Sequence, residues 1–100
     1  MAFNAGHYWI ANGERYWVTI RFLSGGVAVD RGAQWIMADP KPFDTFPTPS
    51  GTTQLESTRA QKRFLYANGG TDWSYNCLVE NTYSPGWNAT WFSLTGGGNV

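Results

Sequence analysis

The sequence predicts an all-β fold, mainly antiparallel, arranged as a small sandwich or flattened barrel of about seven strands. Apolar and polar residues alternate in short runs, which is the two-residue period of a half-buried strand. Gly, Asn, Asp and Pro break those runs at hairpin spacing. Aromatic residues make up 17% of the chain and include 6 Trp, and rings of that size suit a wide pleated surface.

Residues 7–11 read as the first strand. Asn12-Gly13 supplies the pair that tolerates positive φ in a two-residue turn, and residues 15–23 return as the second strand. There Tyr16, Val18, Ile20 and Phe22 share one face, the candidate core, while Trp17, Thr19 and Arg21 share the other. Ser24-Gly25-Gly26 turns the chain into a short strand at 27–29. A further turn at 30–32 leads to a strand at 33–38 containing Trp35 and Met37.

Residues 39–53 contain Pro40, Pro42, Pro47 and Pro49, which cannot donate to a hydrogen-bond ladder, so a long loop is expected, with a possible rim role at a binding site. Thr53-Gln54-Leu55-Glu56 has the spacing of a capping box, and Asn68-Gly69-Gly70 can stop a helix. One short helix over 54–63 follows from those signals. A polar edge strand competes with it, because Leu55 and Ala60 alone supply apolar surface there. Residues 64–66 then look extended.

The clearest strand is 72–80, with Trp73, Tyr75, Cys77 and Val79 on one face and Asp72, Ser74, Asn76 and Glu80 on the other. A turn through Pro85-Gly86 precedes a last strand at 87–94. Residues 95–100, with Gly96-Gly97-Gly98, read as a flexible tail. The parallel between Ala11-Asn12-Gly13 and Ala67-Asn68-Gly69 fits a duplicated hairpin or, the favoured reading, the preference of tight turns for Asn-Gly.

A chain of 100 residues is expected to form a single domain, 1–100. Its 7 basic residues balance 7 acidic ones, so net charge exerts no long-range pull on nucleic acid or an anionic membrane. Arg59, Lys62 and Arg63 precede Phe64 and Tyr66, an interleaving that single-stranded nucleic-acid binders use. The neutral total favours a solvated face instead. No signal peptide is evident, and no apolar run approaches the ~20 residues that span a bilayer, so a cytoplasmic, membrane-free protein is the default expectation.

No catalytic, metal or cofactor site is predicted. His7, the single histidine, lies near the chain end where a base would lack a rigid setting. Cys77 shares an apolar face, so it is expected to be buried and inert, and a lone cysteine forms no internal disulfide. The carboxylates are scattered, Gly96-Gly97-Gly98 lacks the lysine of a phosphate loop, and Asn88-Ala89-Thr90 matches a glycosylation sequon without an export signal.

The suggestive collection is Asp72, Trp73, Asn76, Trp87, Asn88 and Trp91. A flat ring takes the C–H face of a sugar while amides and carboxylates take its hydroxyls; the opposing reading places these indoles in the core. The expected function is a non-catalytic module binding a neutral ligand, carbohydrate foremost. One alternative is a structural or assembly subunit whose aromatics bury in a homo-oligomer. A second is a small acid/base enzyme using Asp or Glu in a barrel cavity.

Overall fold

Pairing of pleated segments organises the chain throughout the residues that the computed structural model describes, 2–44, 52–67, 70–81 and 88–98. The strands are β1 (Ala2–Ile10), β2 (Arg15–Ile20), β3 (Leu23–Ser24), β4 (Val27–Ala28), β5 (Gln34–Lys41), β6 (Glu56–Ala67), β7 (Gly70–Glu80) and β8 (Thr90–Gly98). A 3-10 turn at Pro42–Asp44 follows β5. One three-stranded sheet has the order β1-β8-β5, a second the order β2-β7-β6, and β3 pairs with β4. Every pairing is antiparallel. Among the described residues no helix is long and apolar enough to cross a membrane.

The two larger sheets meet through one apolar cluster. The β8 sheet contributes Ile10, Ala38, Phe92 and Leu94, and the β7 sheet contributes Val18, Ile20, Cys77 and Val79. Tyr8 and Tyr16 pack on Phe92 at ring-centroid distances of 5.4 and 6.1 Å. Phe22 bridges Phe3 at 5.2 Å and Tyr75 at 5.4 Å, both edge to face. The face expected for β2 is therefore the one that packs inward. Asn81, fully buried, ties the β1–β2 turn to the start of β8. Its backbone N–H donates to Glu14 O (2.8 Å), its carbonyl accepts from Gly13 N (2.6 Å), and its Nδ2 donates to Asn88 O (2.9 Å).

Four sequence expectations change. Residues 56–67 form strand β6, the polar edge strand, and not a helix. Cross-strand bonds to β7 satisfy its backbone, and tertiary pairing outweighs a local capping signal. Among the described residues the strands number eight. The proline-rich segment begins inside β5, which runs to Lys41. Pro40 is tolerated because β5 lies at a sheet edge and a proline costs least where one side of the strand is unpaired. Residues 45–51 lie outside the described residues.

The fourth change concerns residues 95–98, which are not a tail. They complete β8, the middle strand of its sheet, pairing with Ala2–Asn4 on one side and Gln34–Met37 on the other. Glycine is required here by close approach: a Cβ on Gly96 would collide with the Trp35 carbonyl oxygen and with the Phe3 ring that lies over it.

Two bulges reset the alternation. In β1, Gly6 and His7 together oppose Ser93, with Gly6 at φ 78°. Phe3 and Ala5 face the core before the bulge, and the extra residue makes Tyr8 and Ile10 face it afterwards, turning Trp9 outward. In β6, Arg59 (φ 52°) and Ala60 together oppose Cys77, which brings Lys62 and Phe64 onto the side of Tyr75 and Trp73.

The Gly96 contacts generate a stability prediction. Gly96→Ala should lower the unfolding free energy by about 2 kcal/mol, because one of the atoms it meets is backbone and cannot step aside. Chemical denaturation followed by near-UV circular dichroism checks it.

Candidate ligand-binding face

None of Trp9, Trp17, Trp35, Trp73 and Trp91 belongs to the buried core. The pleat explains this for Trp9, Trp17, Trp35 and Trp91, which alternate with the inward Ile10, Val18, Ile36 and Phe92, whereas Trp73 shares the face of Tyr75 but lies beyond the end of β2. Trp9, Trp17 and Trp35 are 42%, 45% and 58% exposed.

The outer face of the β8 sheet gathers most of them. Trp9 lies directly opposite Trp91, and Trp91 opposite Lys41. The Trp9 and Trp91 rings meet edge to face at 5.3 Å, and the His7 ring, turned outward by the Gly6 bulge, stacks on Trp91 at 4.4 Å and 17°. Farther along the strands, the outward positions are Ser93 and Asp39, then Asn4, Thr95 and Met37, then Gly97 and Trp35. Charges on this face pair internally. Lys41 Nζ lies 2.8 Å from Asp39 Oδ2, and His7 Nε2 lies 3.6 Å from Asp44 Oδ2. The result is a surface without excess positive charge, with flat rings at two places and Asn4 and Asp39 between them.

The residues singled out in the sequence are distributed over several places. Trp91 sits on this face. Trp73 is on the β6–β7 hairpin, tilted against Phe64 at 4.6 Å with Lys62 Nζ 4.5 Å above its ring. Asp72 holds Arg21 on the outer side of the β7 sheet. Asn76 is buried and takes the Thr19 hydroxyl hydrogen bond at 2.5 Å. Asn88 donates through both its backbone N–H and Nδ2 to Thr52 O, each at 3.1 Å. Trp87 lies outside the described residues. Trp9, Trp35, His7, Asp39 and Lys41 join Trp91 without having been singled out. For Trp35 and Met37 the alternation with Ile36 and Ala38 carried the signal, whereas for Trp9 and His7 the bulge hid it.

A concavity of about 180 Å³ opens between the sheets and is lined by Gln34, Ile36, Ala60, Lys62 and Tyr75 among others. Its lysine and tyrosine are already committed. Lys62 Nζ is 2.7 Å from Asp30 Oδ1, and the Tyr75 hydroxyl donates to Gly32 O (2.6 Å) while accepting from Arg31 N (2.9 Å). Cys77 is buried in the core, and desolvation pushes its thiol up to about 11, so it is protonated at neutral pH. Among the described residues no three His, Cys, Asp or Glu side chains gather as metal ligands.

The chain matches no protein-family model, no curated protein and no solved structure to which it was compared.

The hairpin's ion pairs make its order sensitive to acid. The hydrogen bond from Arg21 holds the Asp72 carboxyl below its ordinary value, and the Lys62 hydrogen bond, aided by the Gly32 N–H, does the same for Asp30. A carboxylate depressed in the folded state contributes fully above its unfolded value, and the contribution is lost as pH falls through the folded one. Trp73 emission should thus hold steady from neutrality to about pH 5 and change below about pH 4. Asp72→Asn should remove the Arg21 part of that transition in a fluorescence titration.

Proposed function

We propose that this protein is a non-catalytic binding module for a neutral carbohydrate, held on the outer face of the β8 sheet. The observation that carries the reading is the contacting pair Trp9 and Trp91, outside the core and flanked by His7, Lys41 and Asp39. Trp9 and Trp35 are 42% and 58% exposed and Trp91 is half-buried against His7; indoles left outside the core forfeit burial, so their gathering on one face marks a surface that gains by being covered. A sugar suits it in two ways. Its C–H face is apolar enough to lie on an indole, and its hydroxyls match the ion-paired carboxylate and ammonium at the rim. Because Lys41 is already paired with Asp39, it offers little to an anionic ligand.

Isothermal titration against a glycan panel tests this, with near-UV circular dichroism confirming the fold of each variant. Trp91→Ala and Trp9→Ala should each weaken binding about tenfold or more, about 1.4 kcal/mol. Trp17→Ala, on the outer side of the opposite sheet, should leave it unchanged. Full affinity in folded Trp9→Ala and Trp91→Ala proteins would remove the proposal.

A second reading, assembly with copies of itself, is favoured by one observation. Pairing of β2 with β7 ends at Ile20 and Tyr75, while β6 and β7 continue pairing to Ala67 and Gly70 as a two-stranded ribbon. Leu65 and Tyr66 on it are 49% and 84% exposed. A two-stranded ribbon is marginal alone and gains from apolar cover. An oligomer that persists in light scattering at nanomolar concentration and dissociates in Tyr66→Glu would support assembly; a wild-type monomer would dismiss it.

A further inference from the structure

The positions of the exposed indoles along the β8 sheet specify the shape of its ligand. Trp9 and Trp91 mark one end of the outer face, opposite Lys41, and Trp35 marks the other, opposite Gly97. From Lys41 back to Trp35 the strand runs roughly 20 Å, and β1 and β5 lie roughly 10 Å apart across β8. Between those ends the middle strand lies low: Ser93 is 4% exposed, and neither its hydroxyl nor that of Thr95 reaches the surface. The flanks present Asn4 from β1 and Asp39 and Met37 from β5. A ligand lying along β8 meets rings at both ends and the flanking Asn4 and Asp39 in between.

The dimensions also bear on what covers this face. Three strands by eight residues give a footprint of roughly 400 Å². That is about half the ~800 Å² per partner of a stable protein interface, so a second copy docked here would be weakly held. The Lys41–Asp39 pair cancels itself and Asp44 adds a negative charge beside His7, so the face offers no excess positive charge to a polyanion. A long, narrow, neutral ligand with repeated apolar faces and hydroxyl edges fits the length, the width and the charge.

We propose that the ligand is a linear, unbranched glycan several residues long, laid along β8 and gripped at both ends, by Trp9 and Trp91 at one and by Trp35 at the other. This inference rests on the carbohydrate-binding reading above and adds to it the length and direction of the bound chain. Two contacts on one ligand make the second effectively intramolecular, so affinity climbs with chain length until both ends are reached.

The experiment is isothermal titration of the whole chain with ladders of β-1,4-linked glucose, N-acetylglucosamine, xylose and mannose, each from monosaccharide to hexasaccharide. For the ladder that binds, the hexasaccharide should bind about tenfold or more tighter than the disaccharide. Trp35→Ala should lower the hexasaccharide to about the affinity of the disaccharide, and Trp35→Phe should restore most of the difference. Trp35 is more than half exposed, so its replacement spares the core. Equal affinity for short and long members, or a length dependence that survives Trp35→Ala, overturns the two-ended grip while leaving the binding module standing. No binding by any member of any ladder overturns both readings.

Discussion

Phe92 and Leu94, on the middle strand of one sheet, pack in the same cluster as Cys77 and Val79, on the middle strand of the other, and all four are at most 1% exposed. A middle strand has neighbours on both flanks, so its inward side chains are covered from every direction, and their burial is the largest favourable contribution each sheet has to offer. That contact leaves no freedom elsewhere. Once Phe92 faces in, the pleat forces Trp91 and Ser93 out. The antiparallel register then carries the choice sideways, placing Trp9 and Lys41 level with Trp91. A slip of one residue would exchange the buried and exposed sets throughout the sheet, which is why the register is so strongly specified.

The bulges are the places where this rule is deliberately interrupted. Strict alternation from Phe3 and Ala5 would carry His7 and Trp9 into the core. One extra residue at Gly6 reverses the parity, so that Tyr8 and Ile10 fill the interior and an imidazole and an indole reach the outer face. Gly6 adopts a conformation that costs other residues energy. The second bulge accepts that cost at Arg59, and in return Lys62 reaches both Asp30 and the Trp73 ring. Both bulges lie on edge strands, where local twisting also discourages pairing with foreign strands.

The charges follow the same economy of local pairing. Arg21 meets Asp72, Lys41 meets Asp39 and Lys62 meets Asp30, all within 2.9 Å. Such exposed pairs stabilise a fold little. Their larger effect is positional: they fix long side chains beside Trp91 and Trp73 and leave neutral surfaces around the rings.

What could be read directly from residues was whatever depends on local alternation. The β2 face of Tyr16, Val18, Ile20 and Phe22, the β7 face of Tyr75, Cys77 and Val79, and the all-β class follow from the two-residue period, because a pleated strand covered on one side has no other way to bury apolar groups. Partnership was not legible. Residues 54–63 carry helix signals, yet 56–67 become an edge strand because β7 is there to pair with them, and Gly96-Gly97-Gly98 resembles a tail until β1 and β5 close on it from either side. The same holds for the candidate site. Trp91 was identifiable from its own neighbourhood, but its companions Trp9, His7 and Trp35 come from strands distant in sequence, one of them shifted by a bulge. The sequence by itself determined which side chains must be hidden, through the period of the backbone. Only the tertiary structure decided which exposed rings share a face, because strand order and bulge parity are set by long-range pairing that no local pattern encodes.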